Sequence, residues 1–119
     1  MNGDVFTTRQ KIEDKISDIE TERAKIVECA IEKAKAISEY DREIAITTLK
    51  LRNGAISEWE GQKISNLPAN LIPKVAQGLC WNECFNKEAT DGMYRGVISN
   101  IEALKSQLNG LQSINKNFE

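Results

Sequence analysis

Apolar residues recur along the first half of the chain at alternating four- and three-residue steps. The series runs Ile12, Ile16, Ile19, Arg23, Ile26, Ala30, Lys33, Ile37, Tyr40, Ile44, Thr47 and Leu51, and the residues between are largely Glu, Asp, Lys and Arg. Sustained 3.5-residue spacing with charged flanks is the pattern of a coiled-coil helix. Between Asp4 and Asn53 there is no glycine, proline or asparagine to interrupt it. The pattern predicts one long helix over residues 8–52, about 65 Å at 1.5 Å per residue. Thr7 or Thr8 can cap its start, and Asn53-Gly54 supplies a stop because both residues tolerate left-handed backbone. Arg23 and Lys33 interrupt the apolar seam. Their stems can cover it while the heads reach water, or the charges can fix register and oligomer number.

Breakers crowd the second half, from Asn53 and Gly54 through Gly61, Pro68, Pro73, Gly78, Gly92, Gly96 and Gly110. Several short elements are therefore expected. Residues 53–70 read as an ordered loop after the long helix, or as a short hairpin over 47–59 turning at Asn53-Gly54. Trp59 and Ile64 are too apolar to leave in water, so this segment should fold back on the chain. A second helix is expected over 71–86, with Pro73 in its first turn. Leu71, Val75 and Leu79 form one stripe, with Ile72, Ala76 and Cys80 beside it. Trp81 and Phe85 point elsewhere, so this helix is apolar over more than one face.

A third helix is expected over 91–108, started by Thr90 or Asp91 and stopped by Asn109-Gly110. Met93, Tyr94, Val97, Ile98, Ile101, Leu104 and Leu108 make its apolar stripe. Gly92 and Gly96 have the small-xxx-small spacing of closely approaching helices, with Gly96 the candidate contact. The tail 109–119 keeps Leu111, Ile114 and Phe118 at helical-to-turn spacing. The fold class is thus all-α: one long N-terminal coiled-coil-like helix, a loop and two shorter antiparallel helices. Two short helices cannot cover the whole seam of so long a partner, and apolar area left in water costs roughly 25 cal/mol per Å². A homo-oligomer, most simply a dimer joined through the long helices, is expected to complete the bundle.

Composition narrows the chemistry. The chain has 119 residues, one domain's worth, and a net charge of −2 with both signs interleaved. No basic field awaits a phosphate backbone, so nucleic-acid binding is not expected. No stretch is apolar enough to span a membrane, and "MNGDVFTTRQK" has no signal-like apolar run. With an odd number of cysteines, three, a cytoplasmic location is the expectation. There is no histidine, which removes the commonest general base and the commonest zinc ligand. Cys80 and Cys84 lie on one side of a helix, but with Cys29 they make only three thiols, one ligand short of a structural zinc site. Packing is the better account of them, and neither a metal nor a cofactor is expected. Acidic pairs such as Glu13-Asp14 read as solvated helix face.

What remains is binding. Trp59, Trp81 and Phe85 are the candidate anchors, because large aromatics at partly exposed positions dominate binding energy. Tyr94 and Arg95 join them as candidates for a stacked or charged ligand. Small size, helical architecture and the lack of catalytic equipment resemble, in type, accessory proteins of phages and mobile elements. For such a protein the location would be the host cytoplasm. The expected function is non-enzymatic: a helical oligomer that binds a protein it inhibits or recruits. The alternatives are a nucleotide-like small molecule held at an oligomer interface and a nucleic-acid accessory role.

Overall fold

The structure, a computed structural model, describes residues 2–117. It is all-α, with a long N-terminal helix α1 (Asn2–Arg52), then a minimal ribbon of β1 (Glu58–Trp59) and β2 (Gln62–Lys63), then two shorter helices, α2 (Ile72–Leu79) and α3 (Trp81–Lys116). Phe118 of the expected tail spacing lies outside the described residues. The chain forms two compact units, one of α1 up to Ile31 with α3 from Gly92 onward, the other of Glu32–Asp91.

Several boundaries differ from the expected ones. α1 begins at Asn2, so Thr7 and Thr8 lie inside the helix and not at its start. α1 does stop at Asn53-Gly54. Gly54 takes φ 80°, the Asn53 side chain accepts a hydrogen bond from the Ala55 amide (2.9 Å), and the Lys50 carbonyl accepts from Ile56 (3.2 Å). The Leu49 and Lys50 carbonyls at the helix end thereby find amide partners, and Lys50 and Arg52 place positive charge in its last turn. No hairpin forms over 47–59. The ribbon turns instead at Glu60-Gly61, with φ 49° and 78°, and pairs Glu58 with Lys63 and Trp59 with Gln62. Two successive positive φ values are what a type I′ hairpin turn requires.

The expected break between a second and a third helix, at residues 87–90, is absent. Lys87, Glu88 and Ala89 are strong helix formers. The Thr90 hydroxyl donates back to the carbonyls of Asn86 (2.9 Å) and Lys87 (3.0 Å) instead of capping a new helix. The break falls at Cys80, the only non-helical residue between α2 and α3. Its amide donates to Ala76 and its carbonyl accepts from Cys84, each at 3.0 Å, so the backbone ladder crosses the joint. The two shorter helices therefore follow one another in the same sense, and the expected antiparallel pair of 71–86 and 91–108 does not form. Asn109-Gly110 does not stop α3 either, because Leu111 and Asn115 beyond it remain half-buried. Packing outweighs local propensity there.

In the first unit α1 and α3 run antiparallel, with Ile19 and Ile101 buried and the Asn100 side chain of α3 beside the Glu22 carboxylate of α1. The covered face of α1 passes through Ile12, Lys15, Ile19, Glu22 and Ile26, leaving Ile16 and Arg23 exposed. This face keeps the 3.5-residue spacing but steps three then four, taking Lys15 and Glu22 in place of Ile16 and Arg23, which turn outward beside it.

The second unit is also built on antiparallel segments of α1 and α3. Lys33 Nζ meets Asp91 Oδ1 at 2.9 Å, Lys87 Nζ lies 4.6 Å from the centre of the Tyr40 ring, and Thr47 Oγ1 lies 3.3 Å from Cys80 Sγ. Lys33 thus keeps its expected seam position, with its ammonium held by a carboxylate. The core is made of small side chains. Ala36, Ala76 and Cys80 are its most buried members, and Thr47, Ile64 and Ile72 complete it. The loop folds back as its apolar residues require, burying Ile64.

Candidate functional site

Trp81 and Phe85 occupy successive turns of α3 in the second unit. Cys80 faces Thr47 of α1, and at about 100° per residue Trp81 and Phe85 stand roughly 100° and 140° around the helix from it, off the packed face. They are 66% and 68% exposed. Leaving two such rings in water forfeits the transfer free energy that burial would return, about 1.5–3 kcal/mol for a side chain of this size. Phe6 of α1, at 71%, is more exposed still, but it stands alone, whereas Trp81 and Phe85 lie on successive turns of one helix.

Trp59 is placed differently. It sits at the end of β1, half-buried, with its ring against the backbone of Gly78 in α2. A Cβ at Gly78 would stand 2.8 Å from Trp59 Cζ2 and 3.3 Å from Cζ3, with Cη2 nearer still. Gly78 is therefore the close-packing glycine among the described residues. Around Gly92, Gly96 and Gly110 no atom lies within 4 Å of the corresponding Cβ position, so Gly96 is not the contact its spacing suggested. The signal for Gly78 was present in the sequence, as a glycine inside a helical stripe, but nothing local named Trp59 as the group it admits.

Tyr94 and Arg95 belong to the first unit, Tyr94 half-buried and Arg95 exposed on α3. Cys80 is buried, while Cys84 and Cys29 are half-buried thiols. Among the described residues no group of three His, Cys, Asp or Glu side chains could hold a metal ion, and no helix is long and apolar enough to cross a membrane.

The electrostatics of the first unit centre on Glu22. Lys25 Nζ donates to its carboxylate at 2.8 Å. That bond first, and the one from Asn100 second, holds the Glu22 carboxyl below its ordinary value, while Glu22 in turn raises the Lys25 ammonium. Farther along the same unit an open groove of about 650 Å³ runs between Lys11, Asp14, Lys15 and Asp18 on α1 and Leu111 and Ile114 on α3. Read from sequence alone, these charges look like a solvated helix face. The missed signal is that like charges stand four residues apart, Lys11 with Lys15 and Asp14 with Asp18, a spacing that gains nothing along a helix.

No family model matches the chain, and no match is found among curated proteins or solved structures.

Proposed function

We propose that the chain is a non-enzymatic helical oligomer of the cytoplasm that binds a protein, which it inhibits or recruits, through the Trp81–Phe85 face of α3. The observation that carries this reading is the pair of adjacent, two-thirds-exposed aromatic rings on one side of a well-formed helix. Trp and Tyr dominate the energetic centres of protein interfaces, and an amphipathic helix face is a common docking element. The absence of histidine and the mixed charge pattern favour binding a protein over catalysing a reaction or gripping a phosphate backbone. A small-ligand role would instead bring Tyr94 and Arg95 to a pocket formed between copies of the chain. The accessory proteins of phages and mobile elements supply inhibitors and recruiters of this general kind.

The test is affinity capture from a lysate of the cells that make the protein, comparing the parent with the Trp81→Ala/Phe85→Ala variant. A protein retained by the parent and lost by the variant, with both equally helical by circular dichroism, is the expected result. Identical capture by both would overturn the assignment of this face. Stabilisation of the parent by nucleotides in a thermal-shift screen would favour the small-ligand alternative.

A further inference from the structure

We infer that the groove of the first unit is the docking site for a second copy of this chain, whose residues 11–18 lie in it antiparallel while its own groove receives the same segment in return. The inference deepens the oligomeric part of the proposed function and rests on it. Apolar contact comes from Leu111 and Ile114 on α3, the latter about half exposed, and from the aliphatic stems of Lys11 and Lys15 on α1. Gly110 lies between them with no atom within 4 Å of its Cβ position, so one wall is low enough for a helix to approach.

The charges choose the occupant. Lys11, Asp14, Lys15 and Asp18 share one side of α1 and sum to zero. This suits neither a polyanion nor a strongly acidic peptide. Laid antiparallel about a two-fold axis between positions 14 and 15, two copies place Lys11 opposite Asp18 of the second copy, and Asp14 opposite its Lys15. The reciprocal pairs follow by symmetry. A parallel arrangement would set lysine on lysine and aspartate on aspartate.

A two-fold contact in which each copy presents the same patch closes at two chains. Exposed ion pairs add little affinity, about 0–1 kcal/mol each, so they set orientation and register while the apolar floor supplies the attraction. Asp14 already accepts a hydrogen bond from Gln10 (3.0 Å), and an ammonium opposite would add to that shell without replacing it.

Light scattering on size-exclusion eluates at micromolar concentration tests this with two charge-reversal variants, Lys11→Glu/Lys15→Glu and Asp14→Lys/Asp18→Lys. The parent is expected at the mass of two chains and each variant alone at the mass of one. An equimolar mixture of the variants should recover the mass of two, because their charges then complement. Gly110→Gln serves as an independent variant. It has room within the chain and suits a helix, but it fills the groove, and it should weaken self-association by about tenfold or more. A single-chain parent, a parent of more than two chains, variants that keep the parent's mass, or a mixture that stays single-chain would overturn the inference. All these substitutions leave Trp81 and Phe85 intact, so loss of self-association and loss of the protein partner are read separately.

Discussion

The Trp59 ring lies against the backbone of Gly78, 2.8 Å at Cζ2 from where a side chain would begin. This contact ties the ribbon to α2. It also produces a stability effect whose sign depends on the partner.

Gly78→Ala should destabilise the chain by about 1–3 kcal/mol, because the added methyl meets a rigid ring that cannot give way at its edge. In a Trp59→Ala background the same substitution should stabilise by about 0.5–1 kcal/mol, the ordinary gain of alanine over glycine in a helix. Urea unfolding of the four proteins of this cycle measures both. A Gly78→Ala chain as stable as the parent would contradict the packing described.

Cys80 is 3% exposed, while Cys29 and Cys84 are half-buried. A thiol reagent applied under native conditions should modify two cysteines and leave the third about tenfold slower or more, since its reaction waits on opening of the unit. Peptide mapping should place the slow site at Cys80, beside Thr47. Equal rates at all three would mean that the second unit's core is not closed.

Much of this was legible in the sequence, and the rest was not for identifiable reasons. The long helix and its stop at Asn53-Gly54 follow from an uninterrupted apolar repeat ended by two residues that accept left-handed backbone. The exposure of Trp81 and Phe85 also follows, because both fall off the stripe through Cys80. The misplaced elements share a cause. Thr90, Asp91 and Asn109-Gly110 carry strong local signals for helix ends, yet Thr90 bonds back within α3 and Asp91 is held by Lys33. Turn formation at Glu60-Gly61 needed positive φ at a glutamate, which no local preference announces. Arg23 left the seam, and Glu22 entered it, because a 3.5 repeat through Ile12, Ile19 and Ile26 can step either three then four or four then three residues, and the apolar Ile16 pointed to the register the packing does not use.

Glu22 makes stability in acid a readout of the first unit. Its carboxyl is held below the ordinary 4.5 by Lys25 first and Asn100 second. A group whose folded value is depressed adds stability that is complete above its unfolded value and lost as pH falls through the folded one. Raising of the Lys25 ammonium has the opposite sense: its contribution is present below the ordinary 10.5 and disappears as pH rises beyond it. Glu22→Gln should therefore lose less stability than the parent between neutrality and about pH 3. Equal losses in urea titrations at the two pH values would show that the bonds from Lys25 and Asn100 do not act on folding.

The role of the Trp81–Phe85 face is tested most directly by photo-crosslinking. With p-benzoylphenylalanine in place of Phe85, irradiation in a lysate of the producing cells should yield one dominant adduct to a different protein. That adduct should disappear when Trp81 is also replaced by alanine. Crosslinks solely to a second copy of the chain, or none at all, would contradict the assignment of this face to a protein partner.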